Sequence, residues 1–239
     1  MNKEQKKTIY SKYKGASFMQ RNTIIFDMDG TILDTLEDLK NSLNYSLTLH
    51  GYPTRTLDEV RTFVGNGMPK LIERGLPSGV DSEKQADVYK DFTLYYKNHC
   101  KENTKPYDGV VEAIRNIRNA GYRTAVVSNK ANYAVLELCD TFFSDVFHEA
   151  IGEMPGIEKK PAPDMINIIL SRLNTTTDDA IYVGDSEVDI MTAKNANLPL
   201  IAVDWGFKTH QFLVEHDAHT IISHPDQLLA AIQEINRES

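Results

Sequence analysis

Thr23-Ile24-Ile25-Phe26-Asp27-Met28-Asp29-Gly30-Thr31 is the stretch on which the reading of the chain turns. Its first four residues form a short apolar, β-branched run, as in a strand buried on both faces of a parallel sheet. The run breaks abruptly into two carboxylates, a glycine and a threonine. In open α/β sheets ligands bind beyond the carboxyl ends of the strands, which is where Asp27 and Asp29 fall. Their i, i+2 spacing in extended backbone sends both carboxylates to one side and Met28 to the other. The turn at Gly30 and Thr31 offers backbone N–H groups suited to phosphate oxygens. Alone, the same residues also read as a charged loop capping the next helix, so the rest of the chain has to supply the partners.

Similar apolar runs recur at Thr124-Ala125-Val126-Val127, Ala180-Ile181-Tyr182-Val183 and Leu200-Ile201-Ala202-Val203, with a weaker one at Thr220-Ile221-Ile222. Helical periodicity fills the intervals at residues 110–119, 163–173, 187–195 and 225–235. Strands alternating with helices of this length predict an α/β fold, a Rossmann-like parallel sheet with helices on both faces. Residues 36–105 break the alternation. Leu36, Leu39, Leu43 and Leu47 repeat at helical spacing and no buried strand intervenes before the turn at Pro106-Tyr107-Asp108-Gly109. The division expected is an all-helical module at 34–105 inserted into a core of 22–33 and 106–239. Residues 1–21 are a polar, basic extension, and Met19 is a candidate for the true start.

Bulk properties narrow the partners. A formal charge of −8 argues against a nucleic-acid groove, whose affinity depends on clustered Lys and Arg. A small anionic substrate is still accommodated, because a bound cation and local donors outweigh the global sign within one pocket. No apolar run approaches the roughly 18 residues of a membrane span. Cys100 and Cys139 have no metal-ligand spacing and read as reduced thiols, which fits a cytoplasmic protein.

Three further segments end at the same predicted rim. Ser128-Asn129 follows a strand, although a helix N-cap is the plainer reading of that pair taken alone. Lys160 precedes a helix whose start Pro163 favours. Gly184-Asp185-Ser186-Glu187-Val188-Asp189 follows another strand, with Ser186 and Asp189 spaced as a capping box. In order, the DMDGT stretch, Ser-Asn, Lys-Pro and GDSEVD resemble the four motifs of the haloacid dehalogenase (HAD) superfamily of phosphohydrolases, from about Thr23 to the C-terminus. Val64-Gly65-Asn66-Gly67 with Glu73-Arg74, and Val203-Asp204-Trp205-Gly206-Phe207, are similar to the subgroup typified by phosphoglycolate phosphatase, which carries a small helical cap. A plain turn between helices is the alternative for the Gly-Asn-Gly segment.

That resemblance implies a set of roles. Asp27 is the nucleophile and Asp29 the acid/base, with Ser128 and Lys160 stabilising charge on the transferring oxygens. Gly30, Thr31 and Asn129 join Ser128 and Lys160 around the phosphate. Mg²⁺, a hard cation that prefers oxygen ligands, is held by Asp27, Asp185 and the Asp29 carbonyl, with Asp189 behind Lys160 or a metal-bound water. Gly65, Asn66, Gly67 and Arg74 face the substrate from the cap. At an ordinary pKa of about 3.9, Asp27 is ionised at neutral pH and needs positioning rather than activation. The implied reaction is hydrolysis of a small organic phosphate, 2-phosphoglycolate foremost, through an aspartyl-phosphate, by a monomer or homodimer. A pyrophosphatase, a 5′-nucleotidase or a phosphomutase shares these core residues, and a non-catalytic phosphate-binding module retains the fold without turnover.

Overall fold

The computed structural model describes residues 21–238. The expected extension and the question of Met19 lie outside them, apart from Arg21. Six strands form one parallel sheet: β1 (Thr23–Phe26), β4 (Arg123–Ala131), β5 (Glu149–Glu153), β6 (Ala180–Gly184), β7 (Leu200–Val203) and β8 (Ile221–Ile222), in the spatial order β5-β4-β1-β6-β7-β8. The first strand is therefore central, with Thr23 opposite Arg123 on one side and Ala180 on the other. From β1 the chain builds outward to β4 and β5, then returns to β6 on the far side. This reversal creates the crevice in which open sheets bind ligands.

Period-2 alternation distributes the strand residues between two cores. Ile24 and Phe26 join Val126, Ile181 and Val183 under helices at Val110–Asn119, Asn132–Phe142 and Leu228–Glu238. Ile25 points the other way, with Ala125, Val127 and Tyr182, against the helix at Asp164–Arg172. The helix at Glu187–Asn195 begins with the expected capping box, in which Ser186 accepts from the Asp189 N–H and Asp189 from the Ser186 N–H.

Between β2 (Leu33–Asp34) and β3 (Lys105–Pro106) lie α1 (Leu36–Leu49), α2 (Leu57–Phe63), α3 (Met68–Gly75) and α4 (Ser82–His99). Leu36, Leu39, Leu43 and Leu47 bury one stripe of α1 against Val60, Ile72, Val88 and Phe92, a core that also takes in Phe207. Strands β2 and β3 pair antiparallel, so the chain enters and leaves the helical segment through one ribbon. Asp38 fastens that crossing. Its buried carboxylate accepts from the Asn103 N–H and side-chain amide and from the Thr104 N–H, at 2.8–3.0 Å.

Two features depart from the sequence pattern. Strand β5, Glu-Ala-Ile-Gly-Glu, has too little apolar character to announce itself, because it forms one edge of the sheet and is only partly covered. Strand β4 continues past Val127 to Ala131, carrying Ser128, Asn129 and Lys130 as buried strand residues.

Candidate active site

Asp27 stands one residue beyond β1, and its N–H donates to Val183 of β6 at 2.9 Å. Ser128 and Lys130 extend from β4, Asp185 follows β6, and Lys160 arrives from the loop before the helix at Asp164–Arg172. These residues, with Asp29, Asn129 and Ser186, line one cleft of about 610 Å³ counting its solvent-open mouth. The opposite wall is apolar, with Leu39, Val64, Met68 and Leu71 from the helical segment and Phe207 from the core.

Lys160 organises the floor. Its Nζ lies 2.7 Å from Asp27 Oδ1 and donates to Asp189 Oδ1 at 2.8 Å and to the Tyr182 hydroxyl at 3.0 Å. Burial works against its charge, and Asp189 and Asp27 overcome it, so the ammonium is held well above the usual lysine range. The other Asp189 oxygen accepts from the Ser186 N–H and hydroxyl, at 3.1 and 2.6 Å. Every Asp189 oxygen is thereby engaged in positioning Lys160 and capping the helix.

Asp29 has a lysine of its own, which the motif reading did not include. Lys130 Nζ donates to both Asp29 oxygens at 2.8 and 3.0 Å, and lies 5.0 Å from the ring centre of Tyr96, a buried residue of α4. Burial opposes the Lys130 charge, and the Asp29 carboxylate more than offsets it. A signal was present in the sequence. Ser128 and Lys130 share the i, i+2 spacing that puts Asp27 and Asp29 on one side of extended backbone.

Asp27 departs from the ordinary carboxylate behaviour expected of it. Burial pushes its carboxyl up to about 7 against the pull of Lys160, with Asp189 and Asp29 adding to the push. Burial and the charges of Asp189 and Asp27 likewise hold Asp185 well above the carboxylate range. Removal from water disfavours the charged form, and neighbouring like charges compound it. Three buried carboxylates and the half-buried Asp29 thus face two lysines in one cluster.

This imbalance fits a divalent cation. Asp27, Asp185 and Asp189 offer oxygens within 4.8 Å of one another, the one such grouping among the described residues. Asp27 Oδ1 is buried without a hydrogen-bond donor in good geometry. Asp185 keeps lone pairs free although Thr31 Oγ1 and the Phe207 N–H donate to it, at 3.2 and 2.8 Å. All the donors are hard oxygens, which suit cations such as Mg²⁺, Ca²⁺ or Mn²⁺. The Asp29 side chain, occupied by Lys130, is outside this grouping.

The other expected residues take varied places. The amides of Gly30 and Thr31 are engaged within their own turn. The Gly30 N–H donates to Leu33 and the Thr31 N–H to Met28, at 2.9 and 3.3 Å, so the turn consumes its own amides. Gly30 instead makes room, since a β-carbon there would overlap Asp185. Asn129 lines the cleft and spans two segments, its amide donating to the carbonyls of Lys160 and Gly65 at 3.0 and 3.3 Å. Gly65 and Gly67 line the cleft, whereas Asn66 is not among its lining residues. Arg74 is turned away, donating to the Phe63 carbonyl at 2.7 Å.

The loop after β7 completes the wall. Trp205 Nε1 donates to the Thr31 carbonyl at 3.0 Å, and Gly206 packs so closely on Gly30 and Asp185 that a side chain would not fit. Among the described residues, no helix is long and apolar enough to cross a membrane.

Comparison with known proteins places the chain among relatives. Residues 24–203 match the family of haloacid dehalogenase-like hydrolases. The phosphoglycolate phosphatase of Mesorhizobium japonicum is 33% identical over 220 residues, which cover 90% of this chain and 96% of that protein. That of Cereibacter sphaeroides is 32% identical over 209 residues, 86% of this chain and 94% of its own. A crystal structure from Lactobacillus delbrueckii subsp. bulgaricus, of a protein to which phosphoglycolate phosphatase activity is ascribed, superposes with a TM-score of 0.85. It is 36% identical, covering 89% of this chain and 98% of that one.

Proposed function

Since the chain belongs to the haloacid dehalogenase-like hydrolases, we propose that it is a Mg²⁺-dependent phosphatase of small organic phosphate monoesters, with 2-phosphoglycolate as its substrate. The observation that carries this reading is the pair of carboxylates after β1. Asp27 is held by Lys160 and Asp29 by Lys130, and both open on one cleft.

Asp27, at the strand end, attacks phosphorus in line and forms an aspartyl-phosphate. Asp29 gives its proton to the departing oxygen, so the product leaves as an alcohol. Asp29 then takes a proton from water, which attacks the aspartyl-phosphate, releases inorganic phosphate and restores Asp27. Lys130 fixes the Asp29 carboxyl through both oxygens, and Lys160 and the Ser128 hydroxyl stabilise charge on the transferring oxygens. Asp27, Asp185 and the Asp29 carbonyl would hold Mg²⁺, which when bound offsets the repulsion between carboxylate and phosphate. The helical segment acts as a cap, its apolar wall excluding water from the reacting atoms.

Phosphate release from 2-phosphoglycolate, followed with and without Mg²⁺, tests the reading. Asp27→Asn is expected to abolish release while circular dichroism shows an unchanged fold. Substantial turnover in that variant overturns the assignment.

A further inference from the structure

We propose that Lys208 is a specificity-determining residue that receives a second anionic group of the substrate, a carboxylate, while the phosphate is seated at Asp27. The proposal rests on the phosphatase reading above and assigns recognition within it.

Three lysines line the cleft: Lys130, Lys160 and Lys208. Two of them are committed. Lys130 donates to both oxygens of Asp29 and faces the Tyr96 ring, and Lys160 is shared among Asp27, Asp189 and Tyr182. Lys208 is different. Its carboxylate partner, Glu187 Oε2, is 3.7 Å away, beyond hydrogen-bonding distance, and that oxygen is buried without a donor. The Lys208 ammonium lies 5.0 Å from the ring centre of Phe212, a weak contact that leaves its donors unused. Arg74, the cation expected from the helical segment, is bound to the Phe63 carbonyl and does not line the cleft.

The backbone beneath Lys208 is fixed. The Phe207 N–H donates to Asp185, Trp205 to the Thr31 carbonyl, and Gly206 is wedged against Gly30. A loop tied at three points to the residues around Asp27 presents its lysine at a set position. A substrate with a second negative charge would otherwise be repelled by the cluster of Asp27, Asp29 and Asp185. Lys208 supplies the opposite charge on the wall of the same cleft, and a phosphate ester without a second charged group gains nothing from it.

The test compares 2-phosphoglycolate with 2-hydroxyethyl phosphate, in which a hydroxymethyl group replaces the carboxylate. In Lys208→Met the ratio of kcat/KM for the two esters is expected to fall by roughly ten- to hundredfold, the loss of one charge-assisted hydrogen bond, and mainly through KM. Lys208→Arg should recover part of the ratio, and Lys208→Gln serves as a second neutral variant if Lys208→Met does not fold. An unchanged ratio, or an equal loss on both esters, overturns the proposal. So does a wild-type enzyme that turns over both esters alike, an outcome that leaves the phosphatase reading standing. Failure of that reading shows separately, as turnover by Asp27→Asn.

Discussion

The Lys160 ammonium lies 2.7 Å from Asp27 Oδ1, inside a cluster where both side chains are removed from solvent. Neither charge is tolerable there alone. Removing one partner of a buried ion pair typically costs about 3–5 kcal/mol, because the other is left uncompensated. Lys160→Met, which keeps the apolar volume, is therefore expected to lower metal-free stability at neutral pH by about that amount and to abolish turnover. Urea unfolding in EDTA and phosphate release together check both parts, and an unchanged urea midpoint would count against the pairing.

The acidity of Asp27 makes the stability of the metal-free protein depend on pH in a particular direction. Its folded value of about 7 lies above that of an unfolded aspartate. The fold thus favours the neutral carboxyl. The stability this contributes is full below about pH 3.9 and is lost as pH rises through about 7. Asp185, also raised, acts with the same sign. In EDTA the melting temperature should fall between pH 5 and 8. Mg²⁺ should restore it most at the upper end, because the cation binds the ionised carboxylates. Asp27→Asn should flatten the profile, and a variant as steep as wild type would show that other groups set the slope.

Gly206 tests how tightly the metal-facing aspartate is seated. A β-carbon at this position would overlap the Gly30 carbonyl and the Asp185 side chain. Gly206→Ala is expected to displace Asp185 and lower kcat by on the order of a hundredfold, the scale of a displacement of about 1 Å at a reacting centre. Half-saturation by Mg²⁺ should rise in the same variant. Wild-type values of both would mean that the loop yields and Asp185 does not depend on it.

Asp38 offers a test away from the chemistry. Replacing it with Ala leaves the Asn103 and Thr104 N–H groups without their acceptor. Stability should fall by about 2–3 kcal/mol, with kcat changed less than the urea midpoint. A midpoint equal to wild type would show that water replaces the carboxylate freely.

The boundaries of β1, β7 and the helices at Val110–Asn119 and Glu187–Asn195 are legible in the sequence, because each carries a local mark: an apolar run for the strands, helical spacing of Val110, Ala113, Ile114 and Ile117 in the first helix, and the Ser186–Asp189 capping box in the second. What was not legible depends on neighbours far along the chain. Strand β5 owes its existence to β4, beside which Ala150 lies opposite Val126. The amides of Gly30 and Thr31 look available until Leu33 and Met28 are seen to accept them. Lys130 was hidden by its polarity, since a lysine after Ser-Asn suggests that the strand has ended. The departure of Asp27 from ordinary acidity is a property of burial, which a motif does not report.

The position of β1 bears on how the chain is made. The first strand of the fold is the middle strand of the sheet, with Arg123 and Ala180 opposite Thr23. During synthesis the DMDGT segment leaves the ribosome early, yet its two flanking strands follow much later, and the sheet cannot close around it until β6 has emerged. The helices from Leu36 to His99 need only each other for most of their core and can form in the meantime. The nascent protein therefore carries an apolar strand with both edges open until β4 has emerged, and with one edge open until β6 follows. Slowed elongation just before residue 180 would lengthen that second interval.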